Sequence, residues 1–295
     1  MQNKFKIIVA TDYSEASSIA ENYAFLLAKS THSVLRIIHV YDTPLFPTTL
    51  NQTEFSKFLE DYKASELKRL QDHSHSLIQT LNLVKDELNL EFVVKEGNVA
   101  DEILEEVRDW LADFIIAGTH GTTGFREVMF GTHTWGLIKE ARVPVLAIPK
   151  DVRFKDIKNI VFASEKRDGE IPAINYMVQF VQEIDAQLSI LHVATHLLPK
   201  EFEMEMFETY VKDLKSKSAT ENINMKLIFD DSIIEGITKY CLEQNSDWLV
   251  VSYKKPSLLE KIVLLNYSNT KQLSFKANVP LFCVPDYYDP QALDI

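Results

Sequence analysis

The sequence predicts an α/β protein made of two tandem domains, each with a doubly wound parallel sheet flanked by helices. Three observations support this fold class. The chain has 295 residues, more than one average domain of about 150 residues. Short apolar runs alternate with amphipathic helical stretches, the pattern of parallel strands joined by helices. The first part of the chain also recurs in the second. The sequence therefore predicts a duplicated domain.

The repeat is clearest between the segment ending in IIHV at Val40 and the segment ending in ILHV at Val193, which align without gaps at an offset of 153 residues. The domain ends agree as well, since VPVLAIP in the first half matches VPLFCVP in the second. The polar stretch 150–158 is the predicted linker. We therefore predict domains at 1–150 and 151–295, with the boundary near Asp151.

The predicted strands of the first half are nearly continuous apolar runs, as expected for strands covered on both faces. They span residues 5–10, 34–40, 90–94, 114–117 and 145–148. The helices between them follow from the 3.6-residue apolar period and from capping residues. The first helix begins after Ser14, the second spans about residues 53–81, the third begins after Asn98, and the fourth begins near Thr132. The second half repeats this series with a shorter second helix.

Charge and composition exclude several classes of partner. The formal net charge is −12, which opposes broad attraction to nucleic acid or to an anionic membrane surface. No long apolar run or leader-like segment appears in the sequence, so we expect a cytoplasmic protein. The two cysteines, Cys241 and Cys283, are expected to be buried reduced thiols.

Glycine is concentrated after the fourth predicted strand. Five of the eight glycines fall within residues 118–136, and glycine lets the backbone approach a ligand closely. The chain then opens a helix at Gly131-Thr132, and free N–H groups at a helix start favour an anion. The alternative is a flexible loop without a ligand. The spacing is neither that of a P-loop nor that of the dinucleotide fingerprint.

The spacing Gly118-x2-Gly121-x9-Gly131-Thr132 resembles the nucleotide motif of the universal stress protein family, G-x2-G-x9-G-[ST]. ATDYS near the first strand, IIHV at the second and VPVLAIP at the last extend the resemblance over both halves. It implies five-stranded sheets of order 3-2-1-4-5. It also implies that ATP binds, with or without Mg²⁺, and that the halves pair through their last strands as an internal pseudo-dimer.

The resemblance assigns roles to nine residues of the first half. Thr11 and Asp12 correspond to the adenine and ribose end, and the Val40 backbone to an adenine contact. The loop beside the ribose and phosphates corresponds to Gly118, His120 and Gly121, and the phosphate-binding helix start to Gly131, Thr132 and His133.

Other roles remain open for some of these side chains. Asp12 could instead cap the first helix, and Thr132 could cap the fourth. His39 recurs as His192, which favours a structural role. Arg126 could neutralise phosphate or be a solvated loop cation.

The second half departs from the motif. Ser252 and Lys255 replace the first two motif glycines, and Glu165 stands where Asp12 stands. Added side chains would fill the space that a phosphate needs. We therefore expect one nucleotide per chain, with the second domain as a structural partner. Homodimerisation of the whole chain is left open.

Three functions are compatible with these features. The first is a nucleotide-binding stress or signalling protein. The second is a slow ATP hydrolase or phosphotransferase, which would want metal-holding carboxylates and a positioned base. Between Gly118 and Gly136 the only acid is Glu127 and the only Lys or Arg is Arg126, so no catalytic residue and no metal ligand is predicted. The third is a nucleotide-independent scaffold.

Overall fold

The computed structural model of the protein describes residues 5–43, 45, 51–119, 131–218, 224–253, 279–286 and 288. The contacts between residues group the chain into two compact units, Met1–Gly118 and Thr119–Ile295. Each unit is an α/β structure, so the predicted fold class is confirmed. The domain boundary near Asp151 stays a prediction.

The first unit contains a parallel sheet in the order β3-β2-β1-β4. Its strands are β1 (Lys6–Ala10), β2 (Val34–Tyr41), β3 (Asn89–Glu96) and β4 (Phe114–Gly118). Its helices are α1 (Glu15–Thr31), α2 (Gln52–Thr80) and α3 (Val99–Trp110), with a short 3₁₀ turn at Lys85–Glu87. The predicted bounds agree with these to within two residues.

Local capping explains where the helices of the first unit begin. The Ser14 hydroxyl accepts a hydrogen bond from the Ser17 N–H, which confirms the predicted N-cap of α1. The Asn98 side chain accepts from the first-turn amides of α3, and Asn51 forms a capping box at the start of α2. Each cap satisfies N–H groups that the helix itself leaves without a partner.

The second unit contains a six-stranded sheet in the order β5-β10-β9-β6-β7-β8. Its strands are β5 (Val145–Ile148), β6 (Asn159–Ala163), β7 (Gln187–Ala194), β8 (Asn224–Phe229), β9 (Trp248–Tyr253) and β10 (Leu281–Pro285). Its helices are α4 (Thr132–Glu140), α5 (Ile171–Glu183), α6 (Lys200–Lys217) and α7 (Ile233–Glu243), with a 3₁₀ turn at Asp168–Glu170. Strands β6 to β10 follow the predicted order 3-2-1-4-5, and α6 is shorter than α2 as expected.

Strand β5 is the exception in a parallel sheet. It pairs antiparallel with β10, with Leu146 opposite Phe282, whereas the other strand pairs of this unit are parallel. These two strands carry the segments VPVLAIP and VPLFCVP that end the two halves of the repeat.

Both cores are apolar and closely packed. In the first unit Ile7, Ile8 and Val9 of β1 are fully buried. In the second, the rings of Phe180, Trp248 and Phe282 lie within 5.6 Å of one another, centroid to centroid. Both cysteines are buried and unpaired, and burial raises the pKa of the Cys241 thiol to about 12. Among the described residues, no helix is long and apolar enough to span a membrane.

Candidate functional site

The carboxyl ends of β1, β2 and β4 bring four of the predicted site residues to one edge of the first unit. Ala10, the last residue of β1, lies opposite Ile38 of β2, two residues before Val40. Thr11 and Asp12 follow β1 directly, and Gly118 ends β4 beside it. This edge, where the strand order reverses, is where open α/β sheets bind ligands.

The Thr11-Asp12 turn is fixed by its own hydrogen bonds. The Thr11 hydroxyl accepts from the Tyr13 N–H at 3.2 Å, and Asp12 Oδ1 accepts from the Ser14 N–H at 3.0 Å. Asp12 therefore orders the turn before α1, while Ser14 caps the helix. The Asp12 side chain stays exposed, so it can also meet a ligand.

The same contacts set the protonation state of Asp12. Partial burial acts to raise the pKa of this carboxyl, but hydrogen bonds from Ser14 and Ser17 outweigh it, so the pKa lies below its ordinary value. Asp12 is thus an acceptor at neutral pH and a weak base.

Gly118 is required by close packing. An added Cβ would lie 2.4 Å from the carbonyl oxygen of Ala16 and 2.7 Å from its carbonyl carbon. Both atoms belong to the α1 backbone and cannot turn away as a side chain could. Gly118 therefore lets the end of β4 approach the first turn of α1, a role that the motif alone did not indicate.

The predicted phosphate-binding helix start lies in the second unit. Gly131 is the N-cap of α4, and Thr132 and His133 are its first two residues, both exposed. Thr132 is thus inside the helix, so the alternative that it caps α4 is wrong. The N-cap Gly131 makes no side-chain cap hydrogen bond, and the positive dipole end of a helix favours an anion at such a start. His120, Gly121, Arg126 and Lys255 lie outside the described residues.

Tyr13, in the first unit, has contacts that the sequence motif did not predict. Its backbone is left-handed, with φ 64°, which is uncommon for a residue with a bulky side chain. Its ring centroid lies 4.4 Å from that of His39 and 5.1 Å from that of His73. The Arg69 guanidinium lies 4.2 Å above the ring. Burial and the neighbouring Glu66 raise the pKa of the Tyr13 hydroxyl to about 12.

His39 and its repeat His192 make the same structural hydrogen bond. His39 Nδ1 lies 2.8 Å from the carbonyl oxygen of Thr11, and His192 Nδ1 lies 2.8 Å from the carbonyl oxygen of Ser164. Each ties the end of the second strand of its half to the turn after the first strand. A structural role for both histidines is therefore confirmed.

A buried carboxylate joins α1 to α2. Glu21 is fully buried, and its oxygens lie 3.1 Å from His73 Nε2 and 3.2 Å from the Ser74 hydroxyl. The hydrogen bond to Glu21 raises the pKa of His73 despite partial burial. Glu21 and His73 are 52 residues apart in the chain, so periodicity in the sequence does not pair them.

The Glu21–His73 pair predicts a pH dependence of stability. Because the folded state raises the pKa of His73 above 6.5, the stabilisation is present in full below pH 6.5 and is lost as the pH rises through the raised pKa. His73→Gln keeps a hydrogen-bond donor but removes the charge. We expect it to lower the free energy of unfolding by about 1 kcal/mol at pH 5.5, and by less at pH 8.

Urea unfolding of both proteins across this pH range measures the effect. His196→Gln serves as control, because His196 is an exposed histidine whose nearest carboxylate, Asp231, is also exposed. A difference between the wild type and His73→Gln that stayed constant with pH would contradict the linkage.

At the corresponding edge of the second unit, the described side chains form ion pairs. The Arg167 guanidinium contacts both carboxylate oxygens of Asp286, at 2.5 and 3.3 Å, and lies 3.2 Å from Glu165. Ser252, which stands at the position of Gly118, donates its hydroxyl to Asp286. Glu170 is buried behind them, and burial raises the pKa of its carboxyl to about 7. The described charged groups of this edge are thus paired with one another.

Removing the Arg167 charge is expected to destabilise the second unit. Arg167→Met keeps the aliphatic stem but leaves the Asp286 carboxylate, only 5% exposed, without its cation. We expect a loss of about 2 kcal/mol, less than for a fully buried pair because the guanidinium keeps some solvent contact. Urea unfolding measures it. In a double-mutant cycle, Asp286→Asn should restore part of the loss; strictly additive losses would rule out a direct pairing.

Known proteins resemble this chain in sequence and in structure. A model of the universal stress protein family matches residues 5–149. A universal stress protein of Methanocaldococcus jannaschii is 28% identical over 157 residues, covering 49% of this chain and 94% of the relative. A universal stress protein structure from Archaeoglobus fulgidus is similar over 95% of this chain and 97% of its own, with a TM-score of 0.65 at 15% identity. That likeness shows the fold over both halves.

One solved universal stress protein is in complex with cAMP; it covers 50% of this chain and 98% of its own, at 17% identity and a TM-score of 0.34.

Proposed function

Because a model of the universal stress protein family matches residues 5–149, we propose that the N-terminal half is a domain of this family and binds ATP or a closely related adenine nucleotide. The observation that carries the proposal is the complete motif Gly118-x2-Gly121-x9-Gly131-Thr132. It follows a strand whose end lies beside the turn that carries Asp12.

Three features of the described residues support this assignment. Asp12 is exposed and its carboxyl keeps a lowered pKa, which suits an acceptor for ribose hydroxyls or the adenine amino group. Val40 is the next-to-last residue of the neighbouring strand β2. Gly131 gives the α4 start no side-chain cap, and the positive dipole end of a helix suits phosphate. Local donors would thus hold a polyanion on a chain of net charge −12.

We propose a stoichiometry of one nucleotide per chain. At the second edge, Glu165 stands where the first half has Asp12, Asp286 adds another carboxylate, and Arg167 is already paired with both. A phosphate would have to displace these groups. In this proposal the two halves act as an internal pseudo-dimer, supported by the antiparallel pairing of β5 with β10.

We further propose a cytosolic binding role in stress or signalling, in which occupancy of the site changes the shape or the partners of the protein. Catalysis is not favoured by the edge of the first unit, because the lowered pKa of Asp12 makes it a weak general base.

Two measurements test the proposal: the identity of any nucleotide that co-purifies with the protein, and the affinity of the protein for added nucleotides. Freshly purified protein is denatured and any released nucleotide is identified by mass spectrometry. Calorimetry with ATP, ADP and AMP, each with and without Mg²⁺, gives stoichiometry and affinity. We expect one adenine nucleotide per chain. No released nucleotide together with no heat of binding for any of the three would refute the proposal.

A further inference from the structure

Helix α6 is held in one orientation by polar contacts on its inner face. Glu203 is buried and its carboxylate pairs with Lys166 at 3.1 Å. Two helical turns further on, Tyr210 lies 3.3 Å from the Ser164 hydroxyl, and Leu214, one turn later still, is fully buried. These residues share one face of the helix. A partly buried ion pair and a buried hydrogen bond therefore fix which face of α6 turns outward.

This orientation leaves apolar side chains on a flank of α6 that the unit does not cover. Phe202 is 49% exposed and Met206, one turn later, is 43% exposed. Leu198, just before the helix, is 44% exposed. The spacing i, i+4 places Phe202 and Met206 side by side. Large side chains contiguous at this exposure are typical of interaction surfaces, and methionine adapts readily to the shape of a partner.

A ridge of carboxylates borders the same flank. Glu201, Glu205 and Glu208 are exposed, and residues 201–211 contain no lysine or arginine. The flank therefore presents exposed apolar side chains next to a local excess of negative charge. It is complementary to a segment with apolar residues on one side and lysine or arginine on the other.

We propose that the α6 flank formed by Leu198, Phe202 and Met206, with its Glu201, Glu205 and Glu208 ridge, docks a basic amphipathic helix of another protein. A second copy of this chain is a poor occupant, because pairing the flank with itself would bring two acidic ridges together in chains of net charge −12. The proposal does not depend on nucleotide binding.

The test uses the full chain and a labelled synthetic helix of about 14 residues, roughly 21 Å long, with leucines at i, i+3 and i+4 spacing and lysines elsewhere. Fluorescence anisotropy gives its affinity. A scrambled peptide of the same composition, which has no apolar face, and a version with glutamate for lysine are the peptide controls. We expect each control peptide to bind at least about tenfold more weakly than the basic helix.

Matched protein variants distinguish peptide binding at this flank from general electrostatic attraction of the peptide to an acidic protein. The double substitution Phe202→Gln and Met206→Gln should weaken binding about tenfold or more. Leu242→Gln removes an exposed apolar side chain on α7, 57% exposed, and should leave affinity within about twofold. Circular dichroism and urea unfolding establish that the variants are folded.

Several results would overturn the proposal. Equal affinity for the scrambled peptide, or an equal loss in Leu242→Gln, would mean non-specific attraction. Sedimentation showing a dimer that the Phe202 and Met206 substitutions dissociate would assign the flank to a second copy. A photoreactive residue at position 202 that crosslinks only within its own chain, with or without peptide, would mean that the flank is covered internally.

Discussion

Gly118→Ala is expected to lower the free energy of unfolding by about 3 kcal/mol. The new Cβ would lie 2.4 Å from the Ala16 carbonyl oxygen. Relief requires moving either the end of β4 or the first turn of α1. Both are held by their own hydrogen bonds, since Ser14 caps α1 and β4 pairs with β1.

Urea unfolding without nucleotide measures this effect as a fall in the transition midpoint at unchanged slope. Ser252→Ala is the matched control, because Ser252 occupies the corresponding place in the repeat and already carries a Cβ. It should lose only the hydrogen bond to Asp286, about 1 kcal/mol. A loss below about 1 kcal/mol in Gly118→Ala would show that Gly118 is not needed for packing.

The distinction matters for interpreting the motif. Gly118 resembles a residue beside the ribose and phosphates, so a substitution that weakened nucleotide binding would ordinarily be assigned to the ligand. Its contact with the Ala16 backbone means that the same substitution also strains the protein without ligand. Binding data for Gly118 variants therefore need stability data beside them.

Thr132→Asp is expected to weaken ATP binding at least about tenfold while leaving the protein folded. Thr132 is the first residue of α4, after the N-cap Gly131. A carboxylate in a first turn favours the helix by about 0.3–1 kcal/mol through the helix dipole. The same charge would repel phosphates placed at that helix start. The substitution thus separates ligand binding from folding.

Calorimetry with ATP and thermal unfolding without it measure the two effects. Gln52→Glu is the control, because it adds one negative charge at the first position of a different helix, α2. It should leave ATP affinity within about twofold. If Thr132→Asp bound ATP as tightly as the wild type, the phosphates would not lie at the α4 start.

The confirmed sequence predictions concern local order. Ser14 caps α1, the strand bounds agree to within two residues, and β6 to β10 follow the expected order. Such features depend on the period of apolar residues and on capping groups within a few positions, so neighbouring residues suffice to predict them. The roles of Asp12 and Thr132 in a nucleotide site rest on the motif and stay predictions.

By itself the sequence determined that one α/β domain is duplicated and that a single intact glycine motif follows the fourth strand. Only the tertiary structure decided how separate segments meet. It pairs Glu21 with His73, Arg167 with Asp286, and the end of β4 with Ala16. It also turns Phe202 and Met206 outward by burying Glu203. The physical reason is that these contacts join residues up to 119 positions apart, brought together by crossovers whose packing the local pattern of apolar residues does not specify.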